Sequence, residues 1–245
     1  MFFKQIKYDL LFSRDAFLGM GGLLIGVAVV MSLITWQLGT AGFFGSVAFG
    51  VPFSMVITGV FVAFVIQLVS FYKKSLFENS GYLMLTIPVD RASLLISKIV
   101  AALFWVNYMA LVGLIMMAII AMGFDGINFN FSMSNVSARV IFQVVEGFIG
   151  MNFFPLLIIT VTYFGITLKN SVIGGFRVNG LVAGFVCIAY LVFIFRFVYT
   201  MVVIVFSSYF DYFQSFRITY FFVFVFAVVA ASATYYLLKH KVELR

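Results

Sequence analysis

Charge is what this chain has least of. Only 9% of its 245 residues are Asp, Glu, Lys or Arg, where a soluble domain carries roughly 25%. So few charges cannot furnish a water-facing surface, and a soluble globular fold is excluded. Cysteine is nearly missing as well. Cys187 stands alone, which excludes an internal disulfide framework, and within its apolar run it reads as a small buried hydrophobe. Histidine occurs once, as His240, and no Cys, His, Asp or Glu cluster has metal-ligand spacing. No serine has a base close to it in sequence, so no catalytic residue is assigned and no enzyme is expected in this chain. The phosphate-binding pattern GxxxxGK[ST] does not occur either. The opening MFFKQIKYDLLFSRDAF lacks a short apolar core leading to a small-residue cleavage site, and so is not read as a cleavable signal.

Hydrophobic residues supply 64% of the chain and aromatics 20%. Several runs reach the roughly 20 apolar residues that a helix needs to cross about 30 Å of hydrocarbon. A β-barrel would show short alternating segments instead. The expected fold is all-α integral membrane, with six transmembrane helices near 16–37, 47–71, 95–122, 140–166, 179–199 and 217–238. The whole chain, 1–245, reads as one transmembrane domain, and no internal repeat is apparent. Residues 2–15 pattern as an N-terminal interfacial helix: Phe3, Ile6 and Leu10 recur at helical spacing, with Lys4, Lys7 and Arg14 mostly on other faces. Between spans five and six, 197–214 is too apolar for an ordinary loop yet is bracketed by Arg196 and Asp211. It reads as a re-entrant segment dipping into the outer leaflet, which is tolerated where protein covers it.

Six spans put both termini on one side, and the cations choose which. Lys4, Lys7, Arg14, Lys73, Lys74, Arg91, Lys98, Lys169, Arg177, Lys239, Lys241 and Arg245 all fall on that side. That is twelve of 15; only Arg139, Arg196 and Arg217 fall on the other. The positive-inside rule then makes both termini cytoplasmic in a multi-pass protein of the plasma membrane. The net charge of +7 belongs to membrane orientation and lipid, and no nucleic-acid partner is expected.

One stretch breaks the apolar pattern. ENSGYLMLTIPVDRASLLISK, residues 78–98, is charged and punctuated by Gly81 and Pro88. Pro88 disfavours helix at Ile87, and Asp90 suits the N-cap of a new helix that rises into the third span. The 72–90 loop is longer and more structured than a simple connection requires, which points to a protein partner below the membrane. The pattern Glu78-x-x-Gly81-Tyr82-Leu83-x-Leu85-Thr86-x-Pro88-Val89-x-Arg91, followed by Leu94-Leu95 and Ser97-Lys98, resembles the loop after the second span of ABC-2-type permeases. Asp90 stands where Ser is common, and Ile87 replaces Leu.

The resemblance implies the permease subunit of an ATP-binding-cassette exporter, of the type that exports phenol-soluble modulins or antimicrobial peptides. It implies a cytoplasmic coupling helix at 72–90 that binds a separate ABC ATPase subunit through Glu78, Gly81, Tyr82, Pro88 and Arg91. It implies a second permease subunit, in a homo- or heterodimer, and no cofactor in this chain, with ATP and Mg held by the ATPase. Arg139, Gln143 and Glu146, at i, i+4 and i+7 of the fourth span, are candidates to line the pathway or a dimer seam, since ionisable groups within membranes are costly; the alternative is an Arg–Glu pair snorkelling at the interface. Asn107 and Asn152 read as interhelical hydrogen-bonding residues. The rival reading of the whole chain is an ATP-independent transporter or sensor.

Overall fold

The computed structural model describes residues 2–38, 43–77, 90–123, 138–173, 176–200 and 212–240. Nearly all of them are helical. The helices are α1 (Phe2–Leu38), α2 (Phe43–Phe77), α3 (Arg91–Gly123), α4 (Ala138–Lys169), α5 (Gly180–Thr200) and α6 (Tyr212–His240). A minimal antiparallel hairpin, β1 (Val172–Ile173) and β2 (Phe176–Arg177), joins α4 to α5, pairing Val172 with Arg177 and Ile173 with Phe176. All six helices carry a segment long and apolar enough to cross a membrane. The chain is a multi-pass membrane protein, as its composition requires. In such a solvent a helix satisfies every backbone group within itself, which an open sheet cannot do.

The helices outrun the expected spans. α1 has 37 residues, about 55 Å at 1.5 Å per residue, and runs without a break through both 2–15 and 16–37. Pro155 lies inside α4, where it removes one backbone hydrogen bond, a loss that membrane helices tolerate through side chains and neighbouring helices.

Two compact units divide the chain. The first comprises Lys7–Phe71 and Phe104–Val136. Its core is aromatic and aliphatic: Phe17 stacks on Trp105 at 4.7 Å and meets Phe64 edge-on at 5.5 Å. Beyond them Leu24, Ala28, Val112 and Met116 form a second cluster, with Ile57 and Val60 against it. Gly21 lets the Tyr108 ring approach α1, since a side chain there would collide with it.

The second unit comprises Met1–Ile6, Tyr72–Leu103 and Ser137–Arg245. One of its clusters joins Leu157 and Val161 of α4, Ile194 of α5, and Val223, Ala227 and Ala230 of α6. The buried α6 positions Val223, Ala227, Ala230, Thr234 and Leu237 recur every three to four residues, one stripe of a helix. Small residues in that stripe let backbones approach closely, which matters where lipid is as apolar as the core. Gly150 does the same for the Tyr220 ring.

Candidate functional site

The 78–89 segment, with Glu78, Gly81, Tyr82 and Pro88, lies outside the described residues. Its two flanks do not, and both belong to the second unit. On the far flank the sequence expectation holds: the Ala92 N–H donates to the Asp90 carboxylate at 3.3 Å, and the Leu94 N–H to the Asp90 carbonyl at 3.1 Å. Asp90 is therefore the N-cap of α3: its carboxylate takes one of the donors that a helix start leaves without partners, and its carbonyl accepts the first bond of the helix.

Arg91, the first residue of α3, turns to another helix. Its Nη1 donates to the carbonyl of Leu238 and, at 2.9 Å, to that of Lys239. These carbonyls belong to the last turn of α6, where no further N–H follows and a cation is favoured by the helix dipole. Two residues on, the Ser93 hydroxyl donates to Gln5 Oε1 of α1 at 3.2 Å. The start of α3 is thus tied to α6 and to α1.

The near flank is the end of α2. Tyr72 and Tyr163 stack at 3.7 Å with ring planes 10° apart. The Tyr72 and Thr167 oxygens are 2.9 Å apart. Thr167 commits its single proton to the Tyr163 carbonyl at 2.8 Å, so the Tyr72 hydroxyl is the donor to Thr167. Tyr163 in turn donates to the Lys98 carbonyl at 3.4 Å, which links α4 to α3. The Ser75 hydroxyl turns back onto the Tyr72 carbonyl at 3.0 Å and Ser97 onto Leu94 at 2.9 Å, hiding both within their own helices. Among the described residues no buried side-chain nitrogen or oxygen lacks a partner. A stacked aromatic pair contributes about 1 kcal/mol beyond its buried area, and each net hydrogen bond about as much. Both legs of the 78–89 segment therefore stand on α4, and one of them on α6 as well.

Lys98, counted by sequence with the cations of the 72–98 loop, sits two turns inside α3 and is 1% exposed. A buried ammonium persists only with partners, because desolvation costs several kcal/mol.

α4 carries Arg139, Gln143 and Glu146, so their spacing puts them on one helical face; Glu146 is half-buried, and the side chains of Arg139 and Gln143 lie outside those described. Of the 197–214 segment, 197–200 end α5 and 212–214 begin α6, and the rest falls outside the described residues. Asn152 donates to the Phe148 carbonyl of its own helix at 2.8 Å. Cys187 is half-buried, with its Sγ 3.6 Å from the Val161 carbonyl. The His240 ring lies against Tyr236 at 5.1 Å.

Sequence reasoning missed Tyr72, Tyr163 and Thr167. The signal was present: Thr160, Tyr163 and Thr167 follow one another at three- and four-residue intervals near the mostly apolar end of α4, and all three are buried. Polar residues at helical spacing in a membrane span mark a face that meets protein rather than lipid. Comparison with known protein families, with curated proteins and with solved structures found no match.

Proposed function

We propose that this chain is the permease subunit of an ATP-driven exporter of the ATP-binding-cassette class, with the 72–90 segment as its coupling element. The observation that carries the reading is the anchoring of both flanks of that segment. The pattern from Glu78 to Lys98 resembles a coupling loop, and its legs are the Tyr72–Tyr163–Thr167 contact and the Arg91 bridge to α6. A connector with no mechanical role has no need of such footing. A lever does, because a push on a loop with loose ends would be lost in the loop itself.

In this mechanism ATP and Mg are held by a separate ATPase subunit, and two permease subunits pair to form the pathway. Closure of the ATPases pushes the loop, and the anchored ends carry the displacement into α2, α3, α4 and α6. Glu78 binds the partner through charge-assisted hydrogen bonds, and Gly81 admits close backbone approach. Arg91, whose Nη1 is engaged by α6, positions the loop. Both termini are cytoplasmic in the plasma membrane, residues 2–15 lie in the inner headgroup layer, and 197–214 re-enters the outer leaflet. The abundance of phenylalanine, 34 residues, suits a wide apolar lining and hence amphipathic cargo such as membrane-active peptides, with Arg139, Gln143 and Glu146 along the path.

The test is co-purification with a stand-alone ABC ATPase, followed by substrate-stimulated hydrolysis in reconstituted vesicles. Glu78→Leu and Gly81→Leu leave insertion intact, because the loop lies outside the spans. Each weakens ATPase association, or retains it and uncouples hydrolysis from transport. Wild-type association and stimulation in both variants would overturn the proposal.

A further inference from the structure

The exposed strip of α1 changes character along its length. From Leu18 through Leu23, Val30 and Leu33 its large exposed side chains are aliphatic, as hydrocarbon requires. Between Lys7 and Asp15 the strip instead mixes cations with aromatics: Lys7 and Arg14 are exposed, and Tyr8 and Phe12 are each 65% exposed. Water would penalise the rings and hydrocarbon the cations. Only the headgroup layer accommodates both, with aromatic bodies in the acyl boundary and cations among phosphates.

This face cannot turn away. The opposite side of the same turns carries Asp9, only 4% exposed, with buried Ser13 and Phe17. Trp105 Nε1 donates to Ser13 Oγ at 2.8 Å, and Phe17 stacks on the same indole. Rotating α1 would break that hydrogen bond and expose the Asp9 carboxylate to the membrane. Lys7 and Arg14 are two helical turns apart on one line, and the nearest exposed acid among the described residues is Asp15, whose Oδ1 takes the Arg14 Nε at 3.1 Å.

The geometry points to a binding site for anionic phospholipid headgroups on this face, with Lys7 and Arg14 as phosphate ligands and Tyr8 and Phe12 as the rings that fix its depth. Charge complementarity selects the lipid class: the exposed basic pair faces a layer whose anionic members carry the opposite charge, and each cation near such a surface favours them about fivefold. An upright α1 would put Lys7 about 16 Å beyond Leu18 at 1.5 Å per residue, farther than the headgroup layer extends. α1 therefore leans at this end, and the lysine stem reaches back toward the phosphates.

The test uses the full-length protein in mixed phosphatidylcholine–phosphatidylglycerol vesicles and needs no ATPase, so its outcome is independent of the proposed transport function. Spin-labelled phosphatidylglycerol and phosphatidylcholine report how much of each lipid is held at the protein. The wild type retains the anionic probe several-fold better, Lys7→Gln with Arg14→Gln abolishes the preference, and Asp15→Asn raises it by removing the competing carboxylate. A fluorophore at Tyr8→Cys is quenched by brominated lipid. Equal retention of the two lipids, a preference unchanged in the double variant, or a fluorophore at position 8 unquenched by lipid would each overturn the site; the last outcome would assign the face to water or to a soluble protein partner.

Discussion

The two units bury the same small device in different surroundings. In one, Trp105 donates to Ser13, and Ser13 passes its own proton to the Asp9 carbonyl four residues earlier. In the other, Tyr72 donates to Thr167, and Thr167 passes its proton to the Tyr163 carbonyl, again four residues earlier. Each relay is roofed by a stacked ring, Phe17 on the indole and Tyr163 on Tyr72. Around Trp105 the neighbours are Phe17, Phe64 and apolar side chains. The Tyr72 relay is extended by the Tyr163 bond to Lys98 and lies on a stripe of buried hydroxyls. In lipid, apolar contact hardly distinguishes a neighbouring helix from an acyl chain, so specific association must come from shape or from hydrogen bonds. The first relay is enclosed by interlocking rings. The second is continued by further directional bonds, which fix register, and its unit holds the flanks of the 78–89 segment.

The sharpest way to break the comparison is to remove the larger ring. Trp105→Phe deletes both the donor and half of the indole, leaving a void beneath Phe17. Cavity, lost stacking and lost hydrogen bond together cost about 3 kcal/mol, read as a lowered unfolding midpoint in denaturant titration of the detergent-solubilised protein. Tyr72→Phe keeps its ring and its stack, so it costs about 1 kcal/mol. Equal losses from the two changes would mean that the relays, and not the surrounding shape, set the strength of each unit.

Removing the acceptor sharpens the same point. Thr167→Val is isosteric but leaves the buried Tyr72 hydroxyl without an acceptor, at a cost of about 2 kcal/mol. That exceeds Tyr72→Phe, after which Thr167 still donates to Tyr163. Ser13→Ala strands the Trp105 N–H in the same way. The double change Tyr72→Phe with Thr167→Val recovers part of the loss, because no orphaned donor remains. If the double variant is no better than Thr167→Val alone, the proton order inferred for this relay is wrong.

Sequence reading reached what hydropathy controls and stopped where three-dimensional pairing begins. The six helices were legible because about 20 apolar residues have few other uses. The Asp90 cap was legible because capping is local. The helix over 2–15 was legible from Phe3, Ile6, Leu10 and the cations, but the burial of Asp9 and Ser13 on it was not, because it depends on partners such as Trp105, 92 residues from Ser13. The helix that carries Lys98 was legible from Pro88 and Asp90, but the burial of that lysine depends on neighbouring helices and was not. Tyr163 and Thr167 were hidden by their apolar context, since on a mostly apolar helix a few hydroxyls lower the hydropathy little.

The smallest expected effect concerns the link between α3 and α6. Arg91 lies near the protein surface, and its bonds to the Leu238 and Lys239 carbonyls close a helix end that water would otherwise solvate. Arg91→Gln therefore leaves the global unfolding midpoint nearly unchanged. Locally it removes a cation from the negative end of the α6 dipole, worth about 0.3–1 kcal/mol. Opening of the last turn of α6 then becomes up to about fivefold more frequent, and amide hydrogen exchange near Leu237–His240 speeds up by the same factor. Arg91→Lys keeps the charge but not the planar fork, and restores only part of the protection. Exchange must quicken at α6 and not merely at the mutated start of α3. If protection near Leu237–His240 is unchanged in Arg91→Gln, the guanidinium does not hold that helix end, and the second unit loses one of the two footings assigned to its loop.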